Sequence, residues 1–123
     1  MGLSTHVLDT MHGCPAEGMG VKLYVTTANI AANAAQSTLL KAIILNADGR
    51  NPDGLLLDNQ SLQVGTYKLV FDVAAYFKSH DVVLPEPNFL NTVSIDFGIA
   101  HADQHYHVPL LVSPWSYSTY RGS

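Results

Sequence analysis

The sequence predicts an all-β fold, mainly antiparallel, with the strands packed as a sandwich. Three observations carry this. Apolar and polar residues alternate with a period of two in several short runs, clusters of Gly, Pro, Asn and Asp separate those runs, and the long helical segments that parallel strands need as crossovers are missing.

Taken in order, Leu3 to Asp9 is a β-rich run closed by Gly13-Cys14-Pro15 and Glu17-Gly18-Met19-Gly20. In Val21 to Thr27, the residues Val21, Leu23 and Val25 fall on one face. Ala28 to Thr38 is poor in charge and rich in Ala and Asn, and it reads as a short helix or a mobile loop. The apolar run Leu39 to Leu45 ends at Asn46-Ala47-Asp48-Gly49-Arg50, where Asp-Gly supplies the positive φ of a tight turn and leaves Arg50 on a loop. Tyr67, Leu69, Phe71 and Val73 alternate with Lys68, Val70 and Asp72, and Val93, Ile95, Phe97 and Ile99 alternate with Ser94, Asp96 and Gly98; both are half-buried strands. Between them Val73 to His80 predicts one short helix, ahead of a loop carrying Pro85 and Pro87. His105 to Val112 and Ser116 to Tyr120 are the last two strands, joined through Ser113-Pro114.

Composition narrows the functional classes. The 123 residues make one domain, 1–123, and 47% hydrophobic residues against 13% charged ones are enough for a real core. Ten acidic residues against six basic ones give a formal charge of -4 with no basic cluster, which disfavours a nucleic-acid partner. The single cysteine, Cys14, excludes an intramolecular disulfide and a multi-thiolate zinc site. No run approaches the roughly 20 apolar residues of a membrane helix, so no membrane partner is expected and the chain reads as cytoplasmic.

Histidine is the chemically distinctive residue: His6, His12, His80, His101, His105 and His107, against only two arginines, Arg50 and Arg121. On a strand, His105 and His107 share a face. One reading is a metal site built on this His-x-His pair with His101 or His6 as third ligand. The other is general acid–base chemistry, an imidazole activating water while an arginine holds an anionic substrate. Residue types alone leave both open. On base rates His6 reads as a hydrogen-bonded structural histidine, His12 and His80 as solvated turn residues, Arg50 as a free loop cation and Arg121 as the partner of a carboxylate. Cys14 has no neighbouring cations in sequence to favour a thiolate. A P-loop, a dinucleotide fingerprint and a Gly-x-Ser-x-Gly elbow are missing.

The end of the chain, Tyr120-Arg121-Gly122-Ser123, resembles the C-terminal signature of the 5-hydroxyisourate hydrolases of the transthyretin superfamily. Three further motifs are similar to that family's: Leu3-Ser4-Thr5-His6-Val7-Leu8-Asp9 followed by Gly13-Cys14-Pro15-Ala16, then Asn46 to Arg50, then His105 to Pro114. The resemblance implies a transthyretin-like β-sandwich of two four-stranded sheets with one short helix, assembled as a homotetramer, a dimer of dimers around a channel. It implies His6, Arg50, His107 and the terminal Ser123 as catalytic residues. His105, Pro109, Ser118, Tyr120, Arg121 and Gly122 are implied as substrate-binding positions, with no metal or other cofactor.

The implied reaction is hydrolysis of the N1–C6 amide of 5-hydroxyisourate to 2-oxo-4-hydroxy-4-carboxy-5-ureidoimidazoline in urate degradation. The alternative is a non-enzymatic carrier binding a small ligand in the same channel. Two departures from the family stand out: segment 28–38 is longer than the usual connection, and Trp115 replaces the more usual Phe or Tyr.

Overall fold

The structure, a computed structural model, describes residues 2–29 and 34–122. Among the described residues, ten elements follow one another. They are β1 (Gly2–Asp9), β2 (Cys14–Pro15), β3 (Gly20–Asn29), β4 (Ala34–Ile44), β5 (Leu57–Asp58), β6 (Gly65–Phe71), α1 (Val73–Ser79), β7 (Val93–Ile99), β8 (Tyr106–Val112) and β9 (Tyr117–Thr119). They build two sheets. One has the order β2-β1-β8-β9 with β5 also paired to β1, and the other has the order β4-β3-β6-β7. The first sheet is therefore five-stranded rather than four-stranded, because two short strands, β2 and β5, pair with different stretches of β1. All pairings are antiparallel except β1 with β8, which run parallel.

The period-two patterns become the two faces of each sheet. In β1, Leu3, Thr5, Val7 and Asp9 are buried while Ser4, His6 and Leu8 are half-buried, so the inner face packs and the outer face stays accessible. β8 repeats this, with Tyr106, Val108, Leu110 and Val112 in the core. Opposite them stand Val21 and Leu23 of β3, Tyr67, Leu69 and Phe71 of β6, and Val93 and Ile99 of β7. The helix lays Val73, Ala74, Tyr76 and Phe77 against the same core. Phe71 and Phe77 are fully buried, and truncating either to alanine removes about 3–5 kcal/mol at such sites.

Segment 28–38 is a correction. Ala28 and Asn29 continue β3, and Ala34 to Thr38 open β4, with Asn29 opposite Ala34 and Thr27 opposite Gln36. A helix or loop was expected from the alanines, but cross-strand pairing within a hairpin outweighs the intrinsic preference of a short segment. Residues 30–33 lie outside the described residues. Among the described residues, no helix is long and apolar enough to cross a membrane.

Candidate active site

The outer face of the first sheet collects the predicted residues in two rows. Register places Ser4 beside His107, His6 beside Pro109 and Leu8 beside Leu111. His107 also forms an antiparallel bridge with Gly122, and His6 one with Arg50. One row thus runs Gly122, His107, Ser4, and the next runs Pro109, His6, Arg50. Ser118 lies opposite Leu111 on this face, and Tyr120, two residues on and exposed, returns to the same side.

Local turn chemistry brings Arg50 there. Asn46 Oδ1 accepts hydrogen bonds from the backbone N–H groups of Asp48 (2.9 Å) and Arg50 (3.1 Å), closing a tight Asx loop. Gly49 has φ +70°, and a Cβ on it would come within 2.5 Å of the Val7 carbonyl oxygen. Only glycine lets the loop lie this close to β1, where the Val7 N–H donates to the Gly49 carbonyl at 3.0 Å. Arg50 is consequently delivered next to His6.

The C-terminal tail is positioned by equally specific contacts. The Gly122 N–H donates to the His107 carbonyl at 2.8 Å. A Cβ on Gly122 would stand 2.5 Å from the His107 ring, so the tail touches the imidazole itself. Arg121 holds the tail in place: its guanidinium lies 4.2 Å from the centre of the Tyr106 ring and donates to Gln104 Oε1 (3.1 Å) and the His105 carbonyl (3.2 Å). These contacts set the Arg121 guanidinium at the edge of the tail, next to Tyr106. Ser123 lies outside the described residues.

Both central histidines are held below the ordinary histidine pKa. For His6, burial is the main cause and the Arg50 charge the second, against an opposing contribution from Asp48. For His107, burial comes first, then Arg50, His6 and His105. Near neutral pH these two imidazoles are therefore uncharged, able to accept a proton, beside a permanent cation. Ser4, from the Leu3 to Asp9 motif, joins the site as well. Its Oγ lies 2.7 Å from His107 Nδ1 and 3.2 Å from His105 Nε2. The signal for it was the period-two relation to His6.

Other sequence candidates fall elsewhere. His101 is exposed in the turn before β8, and among the described residues no group of three His, Cys, Asp or Glu side chains gathers closely enough to hold a metal ion. His80 is exposed and its Nε2 lies 3.1 Å from the Glu17 carbonyl oxygen. His12 is not simply solvated, since its Nδ1 is 2.6 Å from the buried Asp9 carboxylate. Cys14 is exposed. A cleft of about 260 Å³ opens beside His107, lined by Asp96, Phe97, Tyr106, Tyr120 and Arg121 among others. A larger groove of about 430 Å³, on the other sheet between Lys22, Ile44, Val70 and Asp72, contains none of the histidines.

This architecture is that of a transthyretin-like sandwich. Sea bream transthyretin in complex with thyroxine is similar at a TM-score of 0.80 and 27% identity, over 99% of this chain and 95% of that one. Residues 3–122 match the HIUase/Transthyretin family, and the chain belongs to it. Among relatives, the 5-hydroxyisourate hydrolase of Pseudomonas aeruginosa is 48% identical over 98% of this chain and 90% of its own length. The solved 5-hydroxyisourate hydrolase of Klebsiella pneumoniae is 31% identical with a TM-score of 0.75, each chain covered completely.

Proposed function

We propose that this protein hydrolyses 5-hydroxyisourate at its N1–C6 amide, yielding 2-oxo-4-hydroxy-4-carboxy-5-ureidoimidazoline in urate degradation. The observation that carries the reading is the pair of half-buried imidazoles, His6 and His107, both biased to the neutral form on one sheet face beside Arg50. Support comes from relatives of the same family that bear the name 5-hydroxyisourate hydrolase at 48% and 50% identity.

Each residue has a physical task. A neutral imidazole takes a proton from water as the oxygen attacks C6, and the second imidazole holds the water or protonates N1 as the C–N bond breaks. Arg50, planar and permanently charged, stabilises the negative charge that develops on the C6 oxygen. Pro109 floors the face beside His6, Ser118 and Tyr120 bound it on the β9 side, Gly122 lies against His107, and Ser123, next in sequence, is the further catalytic residue of this reading. His105 stands one residue before β8, at the rim. The face is open in one subunit. A second copy covers it in the homotetramer, a dimer of dimers, that this reading includes.

The test follows ultraviolet decay of 5-hydroxyisourate generated from urate by urate oxidase. Acceleration by the protein and its loss in His107→Ala support the reading; no acceleration by the folded protein overturns it. The carrier alternative is not favoured, since His6, Arg50 and His107 together supply chemistry that holding a ligand does not require.

A further inference from the structure

Two histidines and one serine hydroxyl form a chain whose hydrogen count is restrictive. The contacts are His107 Nδ1 to Ser4 Oγ at 2.7 Å and Ser4 Oγ to His105 Nε2 at 3.2 Å. Each contact needs one hydrogen, and the serine owns only one. The second must come from one of the two imidazole rings. If His107 supplies it, Nδ1–H donates to Ser4 Oγ, the serine donates to His105 Nε2, and His107 presents a bare Nε2. If His105 supplies it, the directions reverse and His107 carries its hydrogen on Nε2, where it cannot act as a base.

We propose that Ser4 is a positioning residue that holds His107 in the Nδ1–H form, with Nε2 bare for the attacking water, and that His105 completes the chain as acceptor. This rests on the hydrolase reading above. The 2.7 Å contact fixes Nδ1 as the His107 nitrogen bound to the serine, and the hydrolase reading, which needs Nε2 as the base, sets the direction of that bond. As His107 takes the proton of water, its Nδ1–H becomes a charge-assisted donor and its bond to Ser4 Oγ strengthens, so the serine favours the transition state over the ground state. In a Ser-His-Asp triad a carboxylate orients the imidazole. Here a neutral hydroxyl does so, and the charged or titratable groups facing His107 are Arg50, His6 and His105. Ser4 owes its place to the parallel register of β1 and β8, and His105 owes its place to preceding His107 by two residues.

The test combines turnover with a readout of the ring nitrogens. In Ser4→Ala, kcat falls by about 10- to 100-fold, the range typical of outer partners of a working histidine, with KM changed by less than about two-fold. Ser4→Thr restores kcat to within about three-fold, because the hydroxyl returns. Nitrogen-15 NMR of the imidazoles finds His107 as the Nδ1–H form in the wild type and in Ser4→Thr, and shifted toward the Nε2–H form in Ser4→Ala.

A wild-type His107 in the Nε2–H form overturns the proposal, and so does an unchanged kcat in a folded Ser4→Ala. A wild type that leaves 5-hydroxyisourate decay unaccelerated, yet shows the Nδ1–H form that Ser4→Ala loses, overturns the substrate reading while upholding the positioning by Ser4.

Discussion

β1 serves two histidines in opposite ways. Its outer face carries His6 itself, beside Arg50 and one row from His107, where burial and cationic neighbours keep both imidazoles neutral. Its inner face ends at Asp9, fully buried, which accepts hydrogen bonds from Tyr76 Oη (2.8 Å) and the His12 backbone N–H (3.0 Å) and pairs with His12 Nδ1 (2.6 Å). Burial alone would raise the Asp9 pKa, but the His12 side chain, the His12 N–H and Tyr76 together hold it below the ordinary carboxylate value. The Tyr76 phenol is pushed up, first by burial and then by Asp9. Residue type therefore does not decide role. An imidazole with cationic neighbours is available for proton transfer, whereas one tied to a buried carboxylate braces a strand end against a helix.

This contrast separates under mutation. The largest effect is on turnover: His107→Ala or His6→Ala lowers kcat by about 10³-fold, or roughly 4 kcal/mol of barrier, with an unchanged urea midpoint. Wild-type turnover in both variants erases the distinction between the two histidine sites. Next comes Asp9→Ala, which leaves the buried Tyr76 hydroxyl and the His12 N–H unpaired and costs about 3 kcal/mol of stability. Urea unfolding measures it, and a loss below about 1 kcal/mol shows that the inner network is not structural.

Gly122→Ala is smaller. The new Cβ collides with the His107 ring, so kcat falls by about ten-fold, the cost of misplacing an orienting contact, while stability changes little because Gly122 is only half-buried and outside the core. Equal stability and equal turnover would show that the ring moves aside freely.

The smallest effect distinguishes the two sites by pH. His6 and His107 have folded pKa values below the unfolded value of about 6.5, so between those values the unfolded chain binds more protons. Their contribution to stability is complete above about pH 6.5 and is lost as pH falls through the folded values. Asp9 behaves likewise from about pH 4 downward, its carboxylate being the form the fold prefers. Urea midpoints followed from neutral to acid pH then decline in two stages. A double His6→Gln, His107→Gln variant removes the upper stage and leaves the lower one; a profile unaltered by that variant assigns the upper stage to other groups. Turnover should decline on the acid side with an apparent pKa below about 6.5, as His6 and His107 become protonated.

Much of this was legible in the residues. The strands from Leu3, Val21, Tyr67 and Val93 and the helix from Val73 announce themselves because one face of each is buried, and burial imposes a period on the sequence. The Asn46 to Arg50 loop is legible for another reason: a positive φ at Gly49 and an Asx hydrogen bond are local requirements. Segment 28–38 misled because alanine and asparagine carry little information about a hairpin whose strands pair with each other. Ser4 went unnoticed as a partner because a serine in a strand has no chemistry until a histidine from a distant strand is set against it.

The sequence by itself determined most of the long strands, the helix, the sandwich class and the residue types able to move protons, since these follow from side-chain periodicity, turn geometry and intrinsic pKa. Only the tertiary structure decided that β1 and β8 run parallel with Ser4 against His107, that Arg50 flanks His6 and that Asp9 receives Tyr76. Those contacts join residues up to 103 positions apart, and their energies depend on distance and burial that no local pattern encodes.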